Sequence, residues 1–123
     1  MILADTSVWI DHIRSPNPAL VSALTNGRVR MHPYVIGELA LGNLRRRDQF
    51  LENLSRIRQP RVARFDEVML LIEQGPLYGT GLGWVDANLL ATTLATPGLK
   101  LLTRDRRMGL VAERLNVAAG SVH

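Results

Sequence analysis

Four carboxylates interrupt stretches of this chain that are otherwise apolar or small, and any fold must find a place for them. Asp5 ends the run MILA, Glu38 lies in VIGELALG, Asp86 in GWVDANLLA, and Asp105 follows LLTR. Burying an unpaired carboxylate costs several kcal/mol or forces it to take up a proton. Glu38 has no basic residue within four positions to pair with along a helix. Asp5, Asp86 and Asp105 could each serve as helix caps or first-turn acids, but four such placements in one chain call for a common use.

The pattern between them alternates strand and helix. Residues 1–4 read as a short strand, followed by Asp5, Thr6 and Ser7 as capping residues of a helix carrying Val8, Trp9, Ile10 and Ile13. Pro16, Asn17 and Pro18 break the chain before a second helical stripe of Leu20, Val21 and Leu24, ended by Asn26 and Gly27. Residues 29–32 predict a strand, and Pro33 opens the helix that bears Glu38 and runs toward Gly42. Phe50, Leu54 and Ile57 mark an amphipathic helix closed by Pro60.

Residues 61–65 predict a further strand, and Asp66 and Glu67 suit the start of a helix containing Val68, Leu71 and Ile72. Glycine at positions 79, 81 and 83 predicts a loop near the function, leading into an apolar helix from Trp84 to Leu94. Residues 99–103 predict a strand, residues from Asp105 a helix with Met108, Val111, Ala112 and Leu115 on one face, and residues 117–119 an edge strand. Trp9 and Trp84 are expected in the core. The alternation specifies an α/β fold, a mostly parallel sheet covered by helices on both faces, in one domain spanning residues 1–123.

Asp5 and Asp105 would then stand past the C-terminal ends of strands, the edge where ligands bind in open parallel sheets. Several carboxylates meeting there would repel one another, and a hard divalent cation, Mg²⁺ or Mn²⁺, removes that repulsion and leaves positions open for a phosphate. Of 15 basic residues only Lys100 is a lysine, and the formal charge is +4. An acidic pocket on an arginine-rich protein suits cleavage of a phosphodiester.

Other chemistries fit poorly. There is no cysteine, hence no disulfide, thiolate zinc site or cysteine nucleophile. Ser7 has no evident base oriented by an acid, no GxxxxGK[ST] run exists, and His12, His32 and His123 are too scattered for zinc. A receiver domain expects paired acids after the first strand and a lysine ending a late one. Here Thr6 and Ser7 follow Asp5, and Lys100 begins its strand. The opening segment is too short for a secretory signal, so a cytoplasmic protein is expected, away from any membrane.

Taken in order, MILADTSVWI, ELALG, GWVDANLLA and LLTRD with Arg106, Arg107 and Met108 resemble the PIN-domain nucleases, and more closely the VapC-type toxins of bacterial toxin and antitoxin pairs. The resemblance runs nearly end to end, departing at Met108, where an aromatic is frequent, and at Asn88, where a small residue is commoner. It implies a Rossmann-like sheet and a Mg²⁺- or Mn²⁺-dependent endoribonuclease. Asp5, Glu38, Asp86 and Asp105 match the family's acidic set: Asp5 and Asp86 as direct ligands, Glu38 and Asp105 through water or toward the attacking water. Thr6 and Ser7 match a hydroxyl-bearing turn beside the metal.

The resemblance also implies a homodimer and a cognate VapB-type antitoxin whose tail blocks the acidic groove. Residues 18–24 and 35–41 offer apolar faces for an interface, although core packing is their commoner use. Arg45, Arg46 and Arg47, with Arg104, Arg106 and Arg107, are candidates to hold RNA phosphates around the pocket mouth. A different class, a non-catalytic module whose acidic groove only binds RNA or a protein, would be marked by a missing carboxylate, and all four are present.

Overall fold

The computed structural model describes residues 1–120; His123 lies outside them. Three short strands form the sheet: β1 (Ile2–Ala4), β2 (Val29–Arg30) and β3 (Lys100–Leu102), in the order β2-β1-β3 with both pairings parallel. β1 is the central strand, and Leu3 and Ala4 on it, like Leu101 and Leu102 on β3, are buried where helices α1 and α6 pack on the sheet. Parallel neighbours need crossover connections, and helices supply them.

Between β1 and β2 run α1 (Thr6–Arg14) and α2 (Pro18–Thr25). Between β2 and β3 run α3 (Pro33–Ala40), α4 (Arg47–Ser55), α5 (Phe65–Gln74) and α6 (Trp84–Ala95), and α7 (Arg106–Arg114) follows β3. Proline at the first position starts both α2 and α3, where a missing N–H costs nothing. Asn17 caps α2 through Leu20 N–H, and the ring of His32 caps α3 by accepting from Tyr34 N–H at 3.0 Å.

Helix α6 is buried continuously from Ala87 to Thr93, so it is the hydrophobic axis that α5 and β3 pack against. Its polar residues are satisfied internally. Thr93 donates to Leu89 O, Asn88 to Trp84 O, and Thr92 Oγ1 accepts from Ala63 N–H at 3.0 Å.

That last bond explains a departure from the sequence reading. Residues 61–65 form no strand: Ala63 N–H is taken by a threonine side chain and Arg64 N–H by Glu67, so neither is available to a ladder, and Phe65 already begins α5. The strand expected over 29–32 stops at Arg30, because Met31 N–H turns to Arg58 O and His32 becomes a cap. The edge strand expected over 117–119 reduces to one bridge between Leu101 and Ala118. Trp9 is buried as expected, but Trp84 is 43% exposed and packs on Phe65, itself 69% exposed, with ring centroids 5.6 Å apart.

Candidate acidic site at the strand ends

Asp5 follows β1 directly and caps α1, accepting from Val8 N–H at 3.2 Å. Two hydroxyls also donate to it: Ser7 Oγ to Oδ1 at 2.5 Å, and Thr103 Oγ1 to Oδ2. Each hydroxyl oxygen in turn accepts a backbone N–H, both at 3.0 Å: Ser7 from Arg104 across the two turns, and Thr103 from Asp105 within its own turn. The carboxylate of Asp5 therefore ties the end of β1 to the end of β3. With about two acceptor positions per oxygen, Oδ1 is full and Oδ2 keeps one. Burial pushes the Asp5 carboxyl above its ordinary range, against the opposing pull of these hydrogen bonds.

Asp105 caps α7 by accepting from Met108 N–H at 3.0 Å. Glu38, on α3, is exposed and accepts from Thr6 Oγ1 at 2.5 Å, so the first residue of α1 reaches across to the acid of α3. Asp86 stands in the first turn of α6 and accepts only a long bond, 3.3 Å, from Gly83 N–H. Its carboxyl is raised first by burial, with the Gly83 bond opposing, and further by the negative charges of Asp5, Asp105 and Glu38. The charges of Asp5, Asp105 and Glu38 thus all bear on Asp86 at the C-terminal end of the sheet.

Capping accounts for part of the placement of Asp5 and Asp105, as their sequence context allowed. Exposure on α3 accommodates Glu38 as a carboxylate, and neither capping nor exposure accounts for the three negative charges that bear on Asp86. The donor set is entirely hard oxygen, which fits a divalent cation of the Mg²⁺ or Mn²⁺ kind and relieves that repulsion. Among the described residues, no three acidic or histidine side chains already stand at the spacing of a ready-made coordination group.

The arginines divide. Arg104 forms an ion pair with Asp11 at 2.9 Å, and Arg47 donates to Ala40 O while lying 3.9 Å from Asp48. Among the described residues Arg45, Arg46, Arg106 and Arg107 make no ion pair. Arg45–47 do not extend the C-terminus of α3: Arg46 adopts a left-handed conformation, φ 49°, and Arg47 starts α4. Arg106 and Arg107 open α7, where the positive end of the helix dipole disfavours cations, so their position needs a use other than helix stability. Beside them a cleft of about 630 Å³ runs between α7 and residues 118–120, lined by Thr103, Arg104, Asp105 and Arg106.

Sequence reasoning missed Thr103, whose hydroxyl completes the shell of Asp5. Its position at the mouth of a strand, two residues before an acid, was the available signal. The role of Gly81 was also hidden: at φ +82° it would place a Cβ 2.7 Å from the Arg107 guanidinium, so the glycine loop lies directly against α7.

Comparison with known proteins agrees with this architecture. The model of the PIN domain family matches residues 2–114. Two curated relatives, both named "Ribonuclease VapC32" and from two strains of Mycobacterium tuberculosis (CDC 1551 / Oshkosh and ATCC 25618 / H37Rv), are 44% identical over 118 residues, 96% of this chain and 95% of theirs. No solved structure matches.

Proposed function

The chain belongs to the PIN-domain family, and from that premise we propose that it is a metal-dependent endoribonuclease acting as the toxin of a VapBC-type pair. The observation that carries this reading is that Asp5, tied to the end of β3 through Ser7 and Thr103, stands at the same sheet end as Asp105, with Asp86 near enough for the charges of Asp5, Asp105 and Glu38 to bear on it. A single structural carboxylate needs no such company. The relatives' name, ribonuclease, supplies the substrate class.

On this reading Asp5 and Asp86 hold Mg²⁺ or Mn²⁺ directly, and Glu38 and Asp105 hold it through water or orient the attacking water. When bound, the cation supplies Lewis-acid activation of water and stabilises charge on the phosphate. The chain's own residues do the rest. Ser7 and Thr103 fix the Asp5 carboxylate so that its one free acceptor position faces a defined direction. Thr6 restrains Glu38 in the same way. Arg106 and Arg107, with Arg45, Arg46, Arg47 and Arg104, hold backbone phosphates near the acids.

The same reading makes residues 1–123 one domain working in the cytoplasm, silenced by a VapB-type antitoxin. Among the described residues no helix is long and apolar enough to cross a membrane. A homodimer is part of the proposal, and two apolar regions bear on where its face would lie. In α2 and α3, Leu20, Ala23, Val35 and Leu39 are buried in the core. On α5 and α6, Leu70 and Leu94 are exposed at a hollow of about 420 Å³, and Phe65, Met69 and Trp84 are exposed on the same two helices, apolar surface suited to a second copy.

A second reading, a non-catalytic module that binds RNA or a protein in the acidic groove, is favoured by one observation: no three ligand side chains are preassembled among the described residues. One experiment separates the two. Antitoxin-free protein is incubated with total cellular RNA in Mg²⁺ or Mn²⁺, in EDTA, and as the Asp5→Asn variant. Discrete fragments that disappear with EDTA and with the variant are expected, whereas intact RNA from folded, metal-binding wild type sinks the nuclease reading.

A further inference from the structure

The outer edge of β2 carries a second basic feature, separate from the acidic end. Arg30, Arg56 and Arg58 line a hollow of about 400 Å³ floored by Leu24, Val29 and Ile57. It shares no residue with the acidic site, and β2 is separated by the whole of β1 from β3 and the Asp105 turn. Three guanidiniums meet there with one carboxylate: Glu52 pairs with Arg56 at 2.6 Å, while among the described residues Arg30 and Arg58 form no ion pair.

Arginine at a sheet edge ordinarily keeps other strands away. Here that purpose is already served, because Met31 N–H donates to Arg58 O at 3.0 Å and the segment after α4 covers the edge. Arg30 is held in place as well. One of its Nη atoms donates to Gly27 O and Val29 O, both at 3.1 Å, leaving the rest of the planar fork free. A fixed fork, two further guanidiniums and an apolar floor form a receptor for an anion with a flat hydrophobic part, which describes a nucleotide unit of single-stranded RNA.

We propose that this hollow is an anchoring site for RNA phosphates outside the acidic groove, so that the enzyme grips its substrate at a second place as well as at the cut. The inference rests on the RNA reading above. An acidic protein segment would also be attracted, but the aliphatic floor and the planar guanidiniums above it favour packing of a flat base over a carboxylate chain.

The test compares wild type with Arg58→Glu, Arg58→Gln and Arg58→Lys, measuring binding of a short RNA that covers only the acidic end and of a long single-stranded RNA. Binding is read in EDTA, without turnover, across a salt series. Arg58→Glu is expected to weaken the long RNA roughly tenfold and lower its salt slope by about 0.7 per lost phosphate contact, with the short RNA unaffected. Arg58→Gln should fall between, and Arg58→Lys near wild type. Inorganic phosphate should compete with the long RNA more strongly than chloride of equal ionic strength.

Equal weakening at both lengths means a general charge effect and overturns the anchor. So does no change at either length, in which case lost binding of an acidic peptide would assign the face to a protein partner. Cleavage of the short RNA in Mg²⁺ is followed separately. If no protein cuts it but the length-dependent binding difference persists, the nuclease reading fails and the anchor stands.

Discussion

The turn after β1 and the first turn of α6 each present a carboxylate to the same site, and they hold it in opposite ways. Asp5 is 5% exposed, and its two oxygens accept from Val8 N–H, Ser7 and Thr103. Asp86 is half-buried and accepts one bond of 3.3 Å from the glycine loop. The first is fixed when the strands come together. The second is held loosely while three neighbouring charges repel it. On the proposed reading, one anchored and one compliant acid would let the site stay open until a cation neutralised it.

Replacing each acid by its amide should break activity equally and stability unequally. Asp5→Asn and Asp86→Asn are each expected to lower RNA cleavage on the order of 10³-fold, about 4 kcal/mol of transition-state stabilisation. In urea unfolding the two should part. Asp86→Asn removes a repelled charge and should leave the midpoint unchanged or raise it. Asp5→Asn puts an amide donor against the Ser7 or Thr103 hydroxyl and should lower stability by about 1–3 kcal/mol. Equal destabilisation by both would erase the contrast.

Glu38 offers a second check through the cap of its helix. His32 is fully buried, accepts from Tyr34 N–H through Nδ1, and leaves Nε2 without a protein partner, so burial lowers its pKa to about 4. The unfolded chain takes up this proton near the ordinary value of 6.5. The neutral ring therefore contributes fully above that value, and its contribution is lost as pH falls toward 4. The loss is on the order of 3 kcal/mol. His32→Asn keeps a capping oxygen and removes the titration. The difference between wild type and variant in denaturant midpoint should accordingly shift between pH 7 and 4, and a difference independent of pH would refute the buried neutral histidine.

Thr103→Val tests the anchored side alone. It strands Asp105 N–H and takes a donor from Asp5 Oδ2, at a cost of about 1–2 kcal/mol, and Thr103→Ser should restore most of it. A valine variant as stable and as active as wild type would mean that Ser7 suffices to hold Asp5.

This contrast also marks what could be read from sequence. A carboxylate amid apolar neighbours is visible without coordinates, which is why Glu38 and Asp86 can be singled out, whereas Asp5 and Asp105 follow from standing just past predicted strands. Thr103 could not be singled out, since a hydroxyl after a strand acquires meaning only through β1 lying beside β3. Residues 61–65 have strand-like character, yet Thr92, 29 residues beyond Ala63, removes the N–H a ladder would need. Trp84 reads as core because helix α6 is strongly apolar; only the packing of α5 reveals that its first turn emerges from the protein.

The compliant side is probed most gently through the loop that supports it. Gly79 and Gly81 have nearly the same backbone, φ +77° and +82°, so alanine at either should cost about 1 kcal/mol in left-handed strain. Their surroundings differ. Nothing lies within 4 Å of a Cβ at Gly79, whereas at Gly81 it would meet the Arg107 guanidinium at 2.7 Å. The end of an arginine moves cheaply, so Gly81→Ala should displace the guanidinium rather than unfold the loop. The expected result is a similar loss of stability in the two variants, with a rise in KM for RNA of a few-fold confined to Gly81→Ala. In an Arg107→Ala background that extra rise should vanish, since there is no guanidinium left to displace. If it persists, the loop acts on Asp86 directly through the Gly83 N–H, and Arg107 is a bystander.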